Sequence, residues 1–211
     1  ISMRMVNRAI EQVTPGAPPY LARPPKRHLA ALCITLATLA QFARPGSALA
    51  GWLALAAAAA MFHLMSDWHV GPALWRRRFP LLLYAMYACM ALGYGALGLA
   101  YLGALPGTGA GWHLLGAGAM GLGVFVVIAI AGRAHAGLLP DPGPWVPLGG
   151  ALILTATALR AAAAVLGWGG IALAAAAALW LLAYGVLLWR VGPGLWRPRT
   201  DGRDGCDGPA P

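Results

Sequence analysis

A chain of 211 residues that is 60% hydrophobic and 10% charged, with 29 glycines, does not have the composition of a soluble globular domain. The net charge of +9 gathers at the ends of apolar runs and not in a basic patch interleaved with exposed aromatics, so nucleic acid is excluded as a partner. Three cysteines without C-x-x-C or Cys/His spacing exclude a disulfide framework and a zinc site.

In chain order, residues 1–28 are polar, basic and rich in proline, and read as a segment ahead of the first span. The apolar run 29–43 is short and ends at Arg44-Pro45. Longer runs follow at about 48–66, 80–104, 111–132, 146–166 and 170–190. The expected fold is therefore all-α: a polytopic integral membrane bundle of six transmembrane helices over residues 29–191. A polar tail, 192–211, closes the chain. Basic residues, the run 29–43 and Ala48-Leu49-Ala50 resemble a signal peptide, but the stretch before the apolar run is far too long for one. The first residue is Ile and not Met, which suggests a piece of a longer protein.

Six spans agree with the distribution of charge. With the N-terminus in the cytoplasm, thirteen of the fifteen basic residues fall on the inner side. Arg44 alone falls outside, and Arg160 lies within a span. This is the positive-inside bias, and it implies two cytoplasmic termini and contact with the lipid bilayer.

Ionisable groups inside a bilayer are costly, so each is a functional candidate. His113 opens the fourth span and His135 closes it, twenty-two residues apart, which is roughly 33 Å along a helix. Gly116, Gly118, Gly121 and Gly123 leave bare helix surface beside His113. Such a surface admits a neighbouring helix or a flat cofactor, and a histidine beside it can hold haem or copper. Arg160 sits six residues short of the outer end of its span, about 9 Å deep, in the same leaflet as His113. No span carries an Asp or Glu at that depth, so a haem propionate would serve as its partner, with snorkelling to the headgroups as the alternative. Met120, seven residues after His113, falls on the same α-helical face and is a candidate soft ligand, against ordinary packing. On the inner side His63, Asp67, His69, Tyr84 and His135 form a second collection. His63 and Asp67 share a face at a spacing that suits a metal, and an interfacial polar rim is the alternative.

These residues resemble the NnrS family of bacterial haem–copper membrane proteins linked to nitric oxide. The resemblance lies in His113, Gly118-Ala119-Met120-Gly121 and His135-x-Gly137, and in Arg160 at the end of LILTATALR. It continues in the Trp180–Tyr184 run and in Pro198-Arg199-Thr200-Asp201-Gly202 with Gly205. It covers about residues 80–205 and matches the C-terminal half of a family with some twelve spans. Tyr84 stands where the family has a histidine, Ala136 where it has a threonine, and Ile130 where it has an arginine, with Arg133 one turn on. The resemblance implies b-type haem, with copper as a second metal, and a role in nitric oxide metabolism, denitrification or the nitrosative stress response. It also implies the bacterial inner membrane and nitric oxide as a ligand.

The implied cofactor site comprises His113, Arg160, Met120 and Gly116, with His113, His135 and His63 as metal ligands. Two other classes compete: a cofactor-free structural or assembly subunit that pairs with a separate N-terminal half or a second copy, and a small-solute transporter. The topology is directly testable. A reporter active only in the periplasm, fused at the C-terminus, is expected to be silent, while the same reporter at 105–111 or 167–170 is expected to be active.

Overall fold

The computed structural model describes residues 23–66, 78–138, 143–199 and 202, and among these it is helical with no strand. Six long helices follow one another: α1 (Pro24–Ala43), α2 (Ala48–Met65), α3 (Arg78–Tyr101), α4 (Gly109–His135), α5 (Trp145–Leu166) and α6 (Gly170–Leu195). Helices α2 to α6 are long and apolar enough to cross a membrane. Helix α1 is not among the five, so five of the six expected spans meet that measure among the described residues. Its twenty residues begin with Pro24 and Pro25 at the first turn, followed by Lys26, Arg27 and His28, so only the run from Leu29 is apolar. The protein is a multi-pass helical membrane protein.

Arg160 does not interrupt α5, which runs unbroken from Trp145 to Leu166. Ser47 starts α2 by accepting a hydrogen bond from the Ala50 N–H (3.2 Å), and Gly167 ends α5 in the left-handed conformation (φ 69°) that favours glycine. Consecutive helices are antiparallel neighbours, as short loops require. Polar ties collect at one end of the bundle. There Lys26 donates to the Ser66 hydroxyl (2.7 Å), Arg78 to the Gly143 carbonyl (2.6 Å) and Arg199 to the His135 carbonyl (3.5 Å).

Two cores hold the bundle. Ala30, Ala60, Met61, Leu64, Met65, Tyr87 and Ala91 join α1, α2 and α3. The larger core includes Leu82, Leu122, Phe125, Val126, Ile153, Ala183, Leu187 and Val191 and joins α3 to α6. Lipid tails are as apolar as leucine, so close approach of backbones matters more here than burial of apolar area. The glycines provide that approach. A Cβ on Gly98 of α3 would lie 2.7 Å from Leu55 and 2.9 Å from the Gly51 carbonyl of α2. A Cβ on Gly111 of α4 would lie 2.9 Å from the Gly93 carbonyl of α3. A backbone carbonyl cannot swing aside as a side chain can. Gly98→Leu is therefore expected to cost about 1–3 kcal/mol through overpacking, read as a lower unfolding midpoint in detergent. Gly185 has nothing within 4 Å of its would-be Cβ, so Gly185→Ala is expected to leave the midpoint unchanged or raise it by up to about 1 kcal/mol.

Candidate functional site

Helix α6 closes on α4 only near the His135 end. There Gly132 faces Val191 and Leu195, and Gly194 faces Ala136. Further along, Tyr184 donates to the Gly121 carbonyl at 2.6 Å, and Trp180 stacks on Tyr184 with centroids 4.1 Å apart. Beyond that point α6 stays with α5, while α4 packs on α3 and α5. The divergence opens a cleft of about 490 Å³ between α4, α5 and α6, within the usual range for small-molecule sites. His113, Gly116 and Ala117 line one wall, Ala156 and Arg160 the second, and Leu173, Ala176, Ala177, Trp180 and Leu181 the third.

The cleft brings His113 and Arg160 close enough to interact electrostatically. Gly116 beside His113 has nothing within 4 Å of its would-be Cβ, so the helix surface there is open. The helices are pinned two residues further along at Gly118, where a Cβ would meet Thr157 at 2.9 Å and Cys89 at 3.0 Å. Thr157, the buried polar side chain at that crossing, satisfies its hydroxyl on the Ile153 carbonyl (2.8 Å). All six acidic residues of the chain (Glu11, Asp67, Asp141, Asp201, Asp204 and Asp207) lie outside the described residues. Among the described residues Arg160 therefore has no carboxylate partner. Trp180 lines the cleft, and its Nε1 is shielded from solvent and without a hydrogen-bond partner among the described residues.

Three of the residues singled out in the sequence meet in this cleft: His113, Arg160 and Gly116. Met120 does not join them. It is 69% exposed and lines a separate apolar groove with Met86, Met90 and Leu115. The reason is a π-helical stretch, Leu114–Gly121, between His113 and Met120. In a π-helix the bonds run i→i+5 and each residue turns the helix less than in an α-helix, so seven residues no longer restore the same face. Three glycines in eight residues weaken the preference for the ordinary α-helix there.

His63 and His135 stand apart from the cleft. His63 is exposed in the last turn of α2, which packs on α1 and α3, and its carbonyl accepts from the Ser66 hydroxyl (2.6 Å). His135 is exposed at the far end of α4. Among the described residues no three of His, Cys, Asp and Glu gather as a metal site. Asp67, His69 and Asp141 lie outside the described residues, as do Thr200, Asp201 and Gly205 of the tail motif. Tyr84 is half-buried against the core of α1 to α3. Reading the residues alone missed Trp180 as part of the cleft and Tyr184 as the ring it stacks on. Their i, i+4 spacing on one face was the available signal, without anything to say which helix that face meets.

The fold and the cleft define a polytopic helical membrane protein with a cationic, apolar-walled recess between its last three spans. The family model described as NnrS protein matches residues 1–199, and the chain belongs to that family. The match extends well to the N-terminal side of the motifs that carried the resemblance. No curated protein and no solved structure matches the chain.

Proposed function

We propose that this NnrS-family protein binds b-type haem in the cleft between α4, α5 and α6, and acts in nitric oxide metabolism or the response to nitrosative stress. The observation that carries the reading is the meeting of His113, Arg160 and open Gly116 in one apolar-walled cleft, with no carboxylate for the guanidinium among the described residues. The donor set fits the group. One neutral imidazole nitrogen is a sufficient axial ligand for a haem, whereas a bare metal ion needs three or four protein donors.

In this reading His113 presents a ring nitrogen to the iron. Arg160 would hold a propionate, an anion for a guanidinium that has no carboxylate partner among the described residues. The walls formed by Ala156, Leu173 and Leu181 exclude water and keep the local dielectric low. When bound, haem would supply an iron able to take a diatomic ligand such as nitric oxide. The protein lies in the bacterial inner membrane with both termini cytoplasmic, a placement supported by the basic residues that cluster at the His135 end. Copper has less support, because its candidate ligand His63 stands apart from His135 and the cleft. A cofactor-free assembly subunit is the second reading, supported by exposed Leu181, Leu182, Leu188 and Trp189 on α6, which would meet a second copy or an N-terminal-half partner.

The visible spectrum of the detergent-purified protein decides between them. A Soret band is expected in the wild type, and its absence leaves the cofactor-free subunit. His113→Ala is expected to lose the band. Arg160→Lys is expected to keep it with about tenfold weaker haem retention, since a point charge does not reproduce the fork. His135→Ala is expected to retain most of the haem. Undiminished haem in His113→Ala would remove the proposed ligand.

A further inference from the structure

Trp180 is the side chain in the cleft whose chemistry the fold itself leaves unused. Its ring stacks on Tyr184 at 4.1 Å with 29° between planes, and Tyr184 is held in turn by its bond to the Gly121 carbonyl. The indole edge reaches α4 only because position 121 is glycine: a Cβ there would lie 3.3 Å from Nε1. Yet Nε1 is buried and has no acceptor among the described residues. A phenylalanine would stack on Tyr184 as well and carry no orphan donor. The shielded N–H is thus a cost that the fold alone does not recover, since an unsatisfied buried donor is destabilising.

Trp180 is ten residues into α6 and Arg160 six residues before the end of α5, so their Cα atoms lie about 15 and 9 Å below the His113 end of the bundle. Each Cα–Cβ bond tilts toward the N-terminus of its own helix. Helices α5 and α6 are antiparallel, so this tilt carries the Arg160 Cβ deeper and the Trp180 Cβ toward the mouth. The two Cα atoms differ by roughly 6 Å in depth. Both line the same cleft.

We propose that Arg160 and Trp180 form one seat for a carboxylate on a largely apolar ligand, the guanidinium taking the charge and the indole N–H donating to one of its oxygens. The seat deepens the haem reading and rests on it for the identity of the ligand, a propionate. A fatty-acid carboxylate has the same chemistry and is the other source.

Hemin and its dimethyl ester separate donor from packing. Both are titrated into apo protein in detergent, wild type and Trp180→Phe, with absorbance in the Soret region as the readout. The expected result is about tenfold weaker hemin binding in Trp180→Phe, with the diester bound equally by both proteins. The unfolding midpoint of apo Trp180→Phe is expected to match or exceed that of the wild type, because the N–H has no partner among the described residues. Tyr184→Phe, which frees the ring that orients Trp180, is expected to weaken hemin less than Trp180→Phe does. Unchanged hemin affinity in Trp180→Phe, or an equal loss for hemin and diester, would overturn the seat. So would a fall in apo stability comparable to the loss in binding.

The haem reading fails separately. If the wild type binds neither porphyrin but takes up a fluorescent long-chain fatty acid, and Trp180→Phe loses that binding, the seat stands and its occupant is a fatty acid. If none of the three probes binds, the seat falls with the haem.

Discussion

Phe125 sits against the bare backbone of Gly149 and stands edge-on to Trp145 and Tyr184, with both pairs of ring centroids 6.1 Å apart. This contact gathers α4, α5 and α6 at one end of the bundle, where Val146, Ile153, Ala183 and Leu187 complete the packing. Helices are stiff rods, so three that close tightly at one end and cross at an angle must diverge at the other. The cleft at the His113 end is that divergence. Any side chain at position 149 would push Phe125 outward and change the angle at which the walls of the cleft stand.

The same geometry has an electrostatic consequence. Within the membrane-spanning part, cationic and polar groups occur without a single carboxylate, since all six acidic residues fall elsewhere. In a medium of low dielectric a guanidinium strongly favours an anionic neighbour. Arg160 lies where the helices part, so that neighbour can be a ligand that enters the cleft. An arginine packed between closed helices would be a defect. At the edge of an open cleft it becomes a means of selecting what binds.

Helix α4 contributes through an irregularity. Its π-helical stretch widens the turn between His113 and Gly121 and rotates Met120 out of the register that an α-helix would impose. It also ends at Gly121, whose carbonyl meets Tyr184 and whose missing Cβ admits Trp180. The stretch thus places a ligand candidate, an open surface at Gly116 and a contact for α6 on the faces where each is used.

Much of the architecture was legible in the residues because its cause is local. Apolar runs of bilayer length become helices wherever the backbone must satisfy its own hydrogen bonds, and the basic residues sort to one end of them. Four of the spans, and the placing of His113 and Arg160 in one leaflet, follow from length, charge and chain order. The interruption of the fifth span that Arg160 suggests does not occur, because arginine is a good helix former. Helix α1 exceeded its apolar run because proline and lysine begin a helix without making it apolar. What depended on the tertiary structure was rotation and angle. Periodicity assumes one helical pitch, so it could not reveal the π turn that removed Met120 from the site. Nor could it show that α6 leans away from α4 and leaves Trp180 facing a cleft, because that angle is set by Phe125 and Gly149, two residues on helices other than α6.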